Sequence, residues 1–177
     1  MYRLNELIKL DRKQYHTNDL AILWRITNKN TLYTTIKRYV KKGILIPVFK
    51  GLYTTVPVSQ LDPRSLGQAI IHNKTYLTTE SVLAQEGIIA QTTYVYTFVS
   101  SVSKKVIVGD TTFLYRKLQD VYLNNPVGVE EKNGFFAATV ERAVADMLYF
   151  NPKYHFDLHD SIDWEKVKAI QKEVRYK

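Results

Sequence analysis

The chain has 177 residues, no cysteine and a formal charge of +8, which excludes disulfides, thiolate metal sites and cysteine nucleophiles. A content of 45% hydrophobic and 12% aromatic residues supplies packed cores and excludes a disordered chain, at a length that suits one domain or two small ones. No apolar run approaches the roughly 18 residues of a membrane span, and the N-terminus, MYRLNELIKLDRKQ, lacks a signal-peptide core, so a soluble cytoplasmic protein with no membrane partner is expected.

The elements follow in chain order. Leu4, Leu7, Ile8 and Tyr2 recur at three- and four-residue spacings and predict a first helix over residues 1–10. Thr17 suits the N-cap of a second helix, Asn18 to Arg25, with Leu20, Leu23 and Trp24 inward. The polar turn Thr27, Asn28, Lys29 has the length at which a helix-turn-helix crosses its two helices. A third helix is predicted from Asn30 or Thr31 to Lys42. At 100° per residue its Leu32, Ile36, Tyr39 and Val40 share one sector, and Thr31, Thr34, Lys37, Arg38 and Lys41 fall opposite. Gly43 ends it from a left-handed C′ position. Ile44 to Val48 and Leu52 to Val56 then predict a short hairpin, with Pro47 marking an edge strand and Lys50 near the tip.

Charge distribution singles out this region. Residues 1–56 hold 11 Lys and Arg against 3 Asp and Glu, whereas residues 57–177 hold 14 of each. A basic block on a folded domain is an electrostatic footprint for a polyanion; the plainer alternative is a solvated surface. The polar side of the third helix carries no acidic residue. Solvated helix faces usually mix signs to gain i,i+4 pairs, whereas hydroxyls and cations alone suit phosphate oxygens and base edges. The order of parts is that of a winged helix-turn-helix with the third helix in a DNA groove. The candidate DNA-binding residues are Thr17, Asn30, Thr31, Thr34, Lys37, Arg38, Lys41, Lys50 and Tyr53. Arg38 is the candidate for base readout, through its planar fork, and Lys37 and Lys41 for phosphate. Tyr53 either packs its ring under the hairpin or reaches the DNA backbone.

Pro57 to Pro63 reads as the boundary between two domains, 1–57 and 63–177. Beyond it the pattern predicts a helix from Pro63 or Arg64 to His72, then a strand or turn at Tyr76 leading into a helix capped near Thr78 or Thr79 and stopped at Gly87. Strands follow over Thr93 to Ser100, Lys105 to Val108 and Thr111 to Leu118. A hairpin, Val127 to Glu131 and Phe135 to Ala138, turns at Asn133 and Gly134. TVERAVADMLYF opens a helix at Thr139, and a last helix runs from Ser161 to Val174 with Asp163 in its first turn. The expected fold class is α+β: an N-terminal winged helix followed by a C-terminal α/β domain with a small, mostly antiparallel sheet flanked by helices.

The run TNDLAILWRITNKNTLYTTIKRYVKKGILIPVFKGLYTT resembles the N-terminal domain of the AbiEi family of transcriptional regulators, antitoxins of type IV toxin-antitoxin systems. The matching parts are Leu20 and Ala21, the basic helix ending in Lys41 to Leu45, and Lys50 to Thr55. YLTTESVL and the segment with Thr139, Glu141, Arg142, Ala143 and Asp146 extend the similarity over residues 15–150. The resemblance implies a DNA-binding antitoxin that represses its own operon and counters a nucleotidyltransferase toxin. Expected partners are therefore double-stranded DNA, with an operator of repeated half-sites, and that toxin.

Enzyme chemistry finds little support. GxxxxGK[ST], GxGxxG and GxSxG are absent, and no catalytic residue, cofactor or metal is expected. His155, Asp157, His159 and Asp160 in HFDLHD have two histidines at i,i+4 spacing but no HExxH order, and read as a polar connector. Asp110 with Glu130 and Lys132 imitates a metal-dependent nuclease, and reads more simply as solvated hairpin ends. Arg142 and Asp146, four apart on one helix, read as a structural ion pair, contributing about a few tenths of a kcal/mol on an exposed face. A winged helix serving as an interaction module for a protein or RNA is the alternative from another class.

Overall fold

The computed structural model describes residues 2–10, 12–91 and 94–176, with residues 2 and 3 described by backbone alone. Met1, the Tyr2 side chain and Thr93, which belong to two of the expected elements, lie outside the described residues. The protein is α+β and divides into two compact units, Met1–Asp62 and Pro63–Lys177. The division falls at the end of the Pro57 to Pro63 segment.

The first unit runs α1 (Tyr2–Lys9), β1 (Gln14–His16), α2 (Thr17–Leu23), α3 (Lys29–Lys41), β2 (Ile46–Phe49) and β3 (Leu52–Thr54). Its strands form an antiparallel sheet in the order β1-β3-β2, which leaves Pro47 on an edge, where a missing N–H costs no ladder bond. Leu7, Leu20, Trp24, Leu32, Ile36 and Leu45 form the core, and the Trp24 and Tyr39 rings meet at 5.0 Å. β1 was not foreseen, because three residues are too few to show alternation. Tyr15 on it is 1% exposed and donates its hydroxyl to the Leu7 carbonyl at 3.1 Å, tying α1 to the strand. Ile8, expected inward, is 68% exposed, whereas its neighbour Leu7 is 3% exposed and belongs to the core.

The helix ends differ from expectation in one respect at each start. Thr17 does not cap α2: His16 holds that position, with its N–H donating to Asp19 Oδ2 at 2.9 Å. α3 starts at Lys29 because Asn28 caps it, the Asn28 side chain accepting from the Thr31 N–H at 3.1 Å. Its far end closes at Gly43, φ +67°, with the Gly43 N–H on Val40 O and the Ile44 N–H on Tyr39 O. This is the Schellman pair of bonds that a left-handed residue makes possible.

The second unit contains α4 (Pro63–Ile70), β4 (Thr75–Leu77), α5 (Glu80–Gln85), β5 (Val95–Ser100), β6 (Lys104–Val108), β7 (Thr111–Lys117), α6 (Asp120–Leu123), β8 (Val129–Lys132), β9 (Phe135–Ala138), α7 (Val140–Phe150) and α8 (Trp164–Val174). Its sheet has the order β6-β7-β5-β4-β9-β8. The expected small, mostly antiparallel sheet is thus a six-stranded mixed one, with β5 parallel to β7 and β4 parallel to β9. The expected hairpin is present, turning through Asn133 and Gly134 at φ 52° and 83°, and the expected strands β6 and β7 pair as another, turning through Gly109 and Asp110. The parallel pairings join strands distant in sequence, and no local pattern reports them. Gly67 lets α4 lie close on the sheet, since a Cβ there would stand 2.5 Å from the Phe98 ring. No helix among the described residues is long and apolar enough to cross a membrane.

Candidate nucleic-acid interface

The structure brings most of the sequence-selected residues onto one face of α3. Leu32, Thr35 and Ile36 are buried, while Asn30, Thr31, Thr34, Lys37, Arg38 and Lys41 are exposed on the side turned away from them. Tyr33, which the sequence reading omitted, flanks this face at 56% exposure. Its place one step outside the apolar sector was the available signal. The ion pairs of this unit among the described residues join Lys9 to Glu6 and Arg12 to Asp19, and leave the cations of α3 unengaged. Thirteen residues make α3 about 20 Å long, and a major groove about 12 Å wide admits such a helix.

Lys50 is exposed at the turn between β2 and β3, ahead of Gly51 at φ +76°. Thr17 holds that turn in place. Its N–H and its hydroxyl both donate to the Gly51 carbonyl, at 2.9 and 3.3 Å. A residue selected as a candidate contact is therefore a tether between the start of α2 and the hairpin. Tyr53 is half-buried against the core and pairs across the sheet with Tyr15, which favours the packing alternative for its ring. Thr31 offers its hydroxyl to Asn28 Oδ1 at 3.4 Å and so serves the helix start as well as the face.

The second unit separates the residues of the nuclease pattern. Asp110 sits in the turn of β6 and β7, while Glu130 and Lys132 lie on β8 at the opposite edge of the sheet. Four to five strand spacings make about 19–24 Å, too far for one metal to join them. In HFDLHD, Asp157 accepts the Ala90 N–H at 2.7 Å and the His159 ring lies 4.5 Å from that of Trp164. Among the described residues no three His, Asp or Glu side chains converge as a metal site would require.

Arg142 and Asp146 correct the sequence reading more sharply. Both are 0% exposed. The Arg142 Nε donates to Asp146 Oδ1 at 2.8 Å, Nη1 to the Val127 and Asn125 carbonyls at 2.8 and 3.3 Å, and Nη2 to the Tyr76 hydroxyl and Tyr122 carbonyl at 2.6 and 3.1 Å. All five guanidinium protons are thereby used. Asp146 also accepts the hydroxyls of Thr78 at 2.8 Å, Tyr76 at 3.0 Å and Tyr176. Burial by itself favours a neutral guanidine, but Asp146, with Tyr76 and Tyr176, outweighs it and holds Arg142 above its ordinary range. Burial first, then the Asp146 charge, pushes the hydroxyls of Tyr76 and Tyr176 well above theirs. A saturated network of this kind fastens α7, β4 and Tyr176 together. The i,i+4 spacing was visible in the sequence; Tyr76 and Tyr176, distant along the chain, were not.

No family model matches the chain, and no curated protein matches it at a significant level.

Proposed function

We propose that the N-terminal unit is a winged helix-turn-helix that binds duplex DNA in a sequence-dependent way, with α3 in the major groove and the β2–β3 hairpin as the wing. The order α1-β1-α2-α3-β2-β3 supports it. The observation that carries the reading is the single-sign face of α3: Lys37, Arg38 and Lys41 beside Thr31 and Thr34, with no described carboxylate paired to them. Cations that form no internal pairs do little for the fold and suit a polyanion. Arg38 reads a base edge, Lys37 and Lys41 take phosphates, and Lys50 meets the backbone beside the groove. Asn30 and Tyr33 border the contact, and Thr17 sets the wing's position. The further proposal is an autorepressing regulator of the AbiEi antitoxin type that counters a nucleotidyltransferase toxin, on the strength of the residues quoted above.

The test is selection of the full-length chain on random duplexes, followed by titration of the enriched sequence over a range of salt. The expected result is an enriched motif whose affinity falls linearly with the logarithm of salt concentration, as released counterions require. Absence of duplex binding at low salt, or equal competition by structured RNA, overturns it. Co-expression with a nucleotidyltransferase encoded beside it tests the antitoxin part: rescue of growth is expected, and no rescue refutes that part alone.

A further inference from the structure

β4 and β9 run parallel and pair through Leu77 and Ala137. In a parallel ladder the next rung toward the start of both strands joins the Thr75 carbonyl to the Phe136 N–H. Here the side-chain amide of Gln68, on α4, occupies that rung. Its Oε1 accepts the Phe136 N–H at 2.7 Å, and its Nε2 donates to the Thr75 carbonyl at 3.1 Å. Both backbone groups are satisfied, as folded backbones require, and the strands are held apart. The sheet is wedged open between two interior strands.

A cavity of about 390 Å³ opens at this gap, within the range of roughly 300 to 1,000 Å³ common for small-molecule sites. Ile71, Tyr76, Pro126, Val129 and Phe136 supply apolar wall, and Lys74 is the charged residue among those that line it. Phe136 is 45% exposed although its neighbours Phe135 and Ala137 are each 3% exposed, so an aromatic ring stands uncovered at the mouth. The Lys74 ammonium donates to the Asn124 carbonyl at 3.2 Å, which leaves two protons and an uncompensated charge beside the apolar wall. No described carboxylate lines the cavity.

We infer that this cleft binds a small organic monocarboxylate with an apolar body, its tail against Val129 and Phe136 and its carboxylate on Lys74. One ammonium matches one carboxylate; a phosphoester carries more charge and more acceptors than this rim can satisfy. The wedge explains why the cleft exists before any ligand arrives, because the Gln68 amide keeps the gap from closing into a ladder. Nothing in the assignment depends on DNA binding by the other unit.

The experiment is calorimetric titration of the full-length chain with octanoate, using octan-1-ol and octyl phosphate as comparators. Saturable octanoate binding is expected, about tenfold tighter than octan-1-ol, the ratio a charge-assisted hydrogen bond supplies. Lys74→Met should abolish that preference and leave the alcohol's affinity unchanged. Phe136→Ser should weaken octanoate and the alcohol alike. Both residues are partly exposed, so unchanged denaturation midpoints are expected for both variants. Absence of saturable octanoate binding by the wild type overturns the proposal, as does binding that both variants leave unaltered. Equal affinity for octanoate and octan-1-ol, or tighter octyl phosphate, overturns the monocarboxylate assignment.

Discussion

Arg38 and Arg142 place the same guanidinium in opposite settings. Arg38 stands exposed on α3 with no described carboxylate paired to it, in a unit that carries +7 of the chain's +8. Arg142 is 0% exposed and donates to five acceptors from four parts of its unit. An arginine whose donors are all engaged inside the fold is a fastener. One whose fork is open is available to a partner. The difference lies in setting and not in residue type: one fork is spent on the fold, and the other is not.

The largest expected effect breaks the fastener. Asp146→Ala leaves a buried cation without its counterion and should destabilise the second unit by about 3–5 kcal/mol in chemical denaturation; a change below about 1 kcal/mol would show the pair to be exchangeable for water. Next comes the open fork. Arg38→Ala should cost about 1–3 kcal/mol of discrimination between the selected duplex and one altered at a single base pair, with the denaturation midpoint unmoved. If it weakens every duplex equally, Arg38 contacts phosphate and not a base. Smaller still, Lys41→Ala or Lys50→Ala should weaken all duplexes alike and reduce the salt slope by about 1. A slope that stays constant removes the residue from the interface.

The mildest perturbation is of pH. Burial raises the hydroxyls of Tyr76, Tyr115 and Tyr176 above the ordinary value of 10.0. These groups bind protons more tightly in the folded chain than in the unfolded one. Their contribution to stability is complete below about pH 10 and is lost as pH rises beyond it. Tyrosinate absorbance of the native protein at about pH 11 should fall short of that of the unfolded chain by at least these three groups. Full titration with the fold intact would contradict the burial of the Arg142 network.

Legibility in the sequence follows the range of the forces involved. The inward stripe of α3, its closure at Gly43 and the turn at Asn133 and Gly134 depend on neighbours within a few residues, and all were readable. The starts of the foreseen helices were readable to within three residues, whereas the four-residue α6 was not foreseen. The candidate face was legible because exposure on a short helix is the complement of its apolar sector, although Tyr33 and the tether at Thr17 were missed. Tertiary contact gives Thr17 a supporting role, through a carbonyl 34 residues away.

By itself, then, the sequence determined the local helices and hairpins, the placing of net charge in residues 1–56 and the composition of the exposed face. Only the tertiary structure decided that β4 lies between β5 and β9, that Gln68 replaces a rung of the ladder, and that Arg142 is enclosed by Tyr76 and Tyr176. The physical reason is that periodicity reports which side of an element is apolar, whereas partners far apart along the chain are chosen by burial and by the need to satisfy every enclosed polar group.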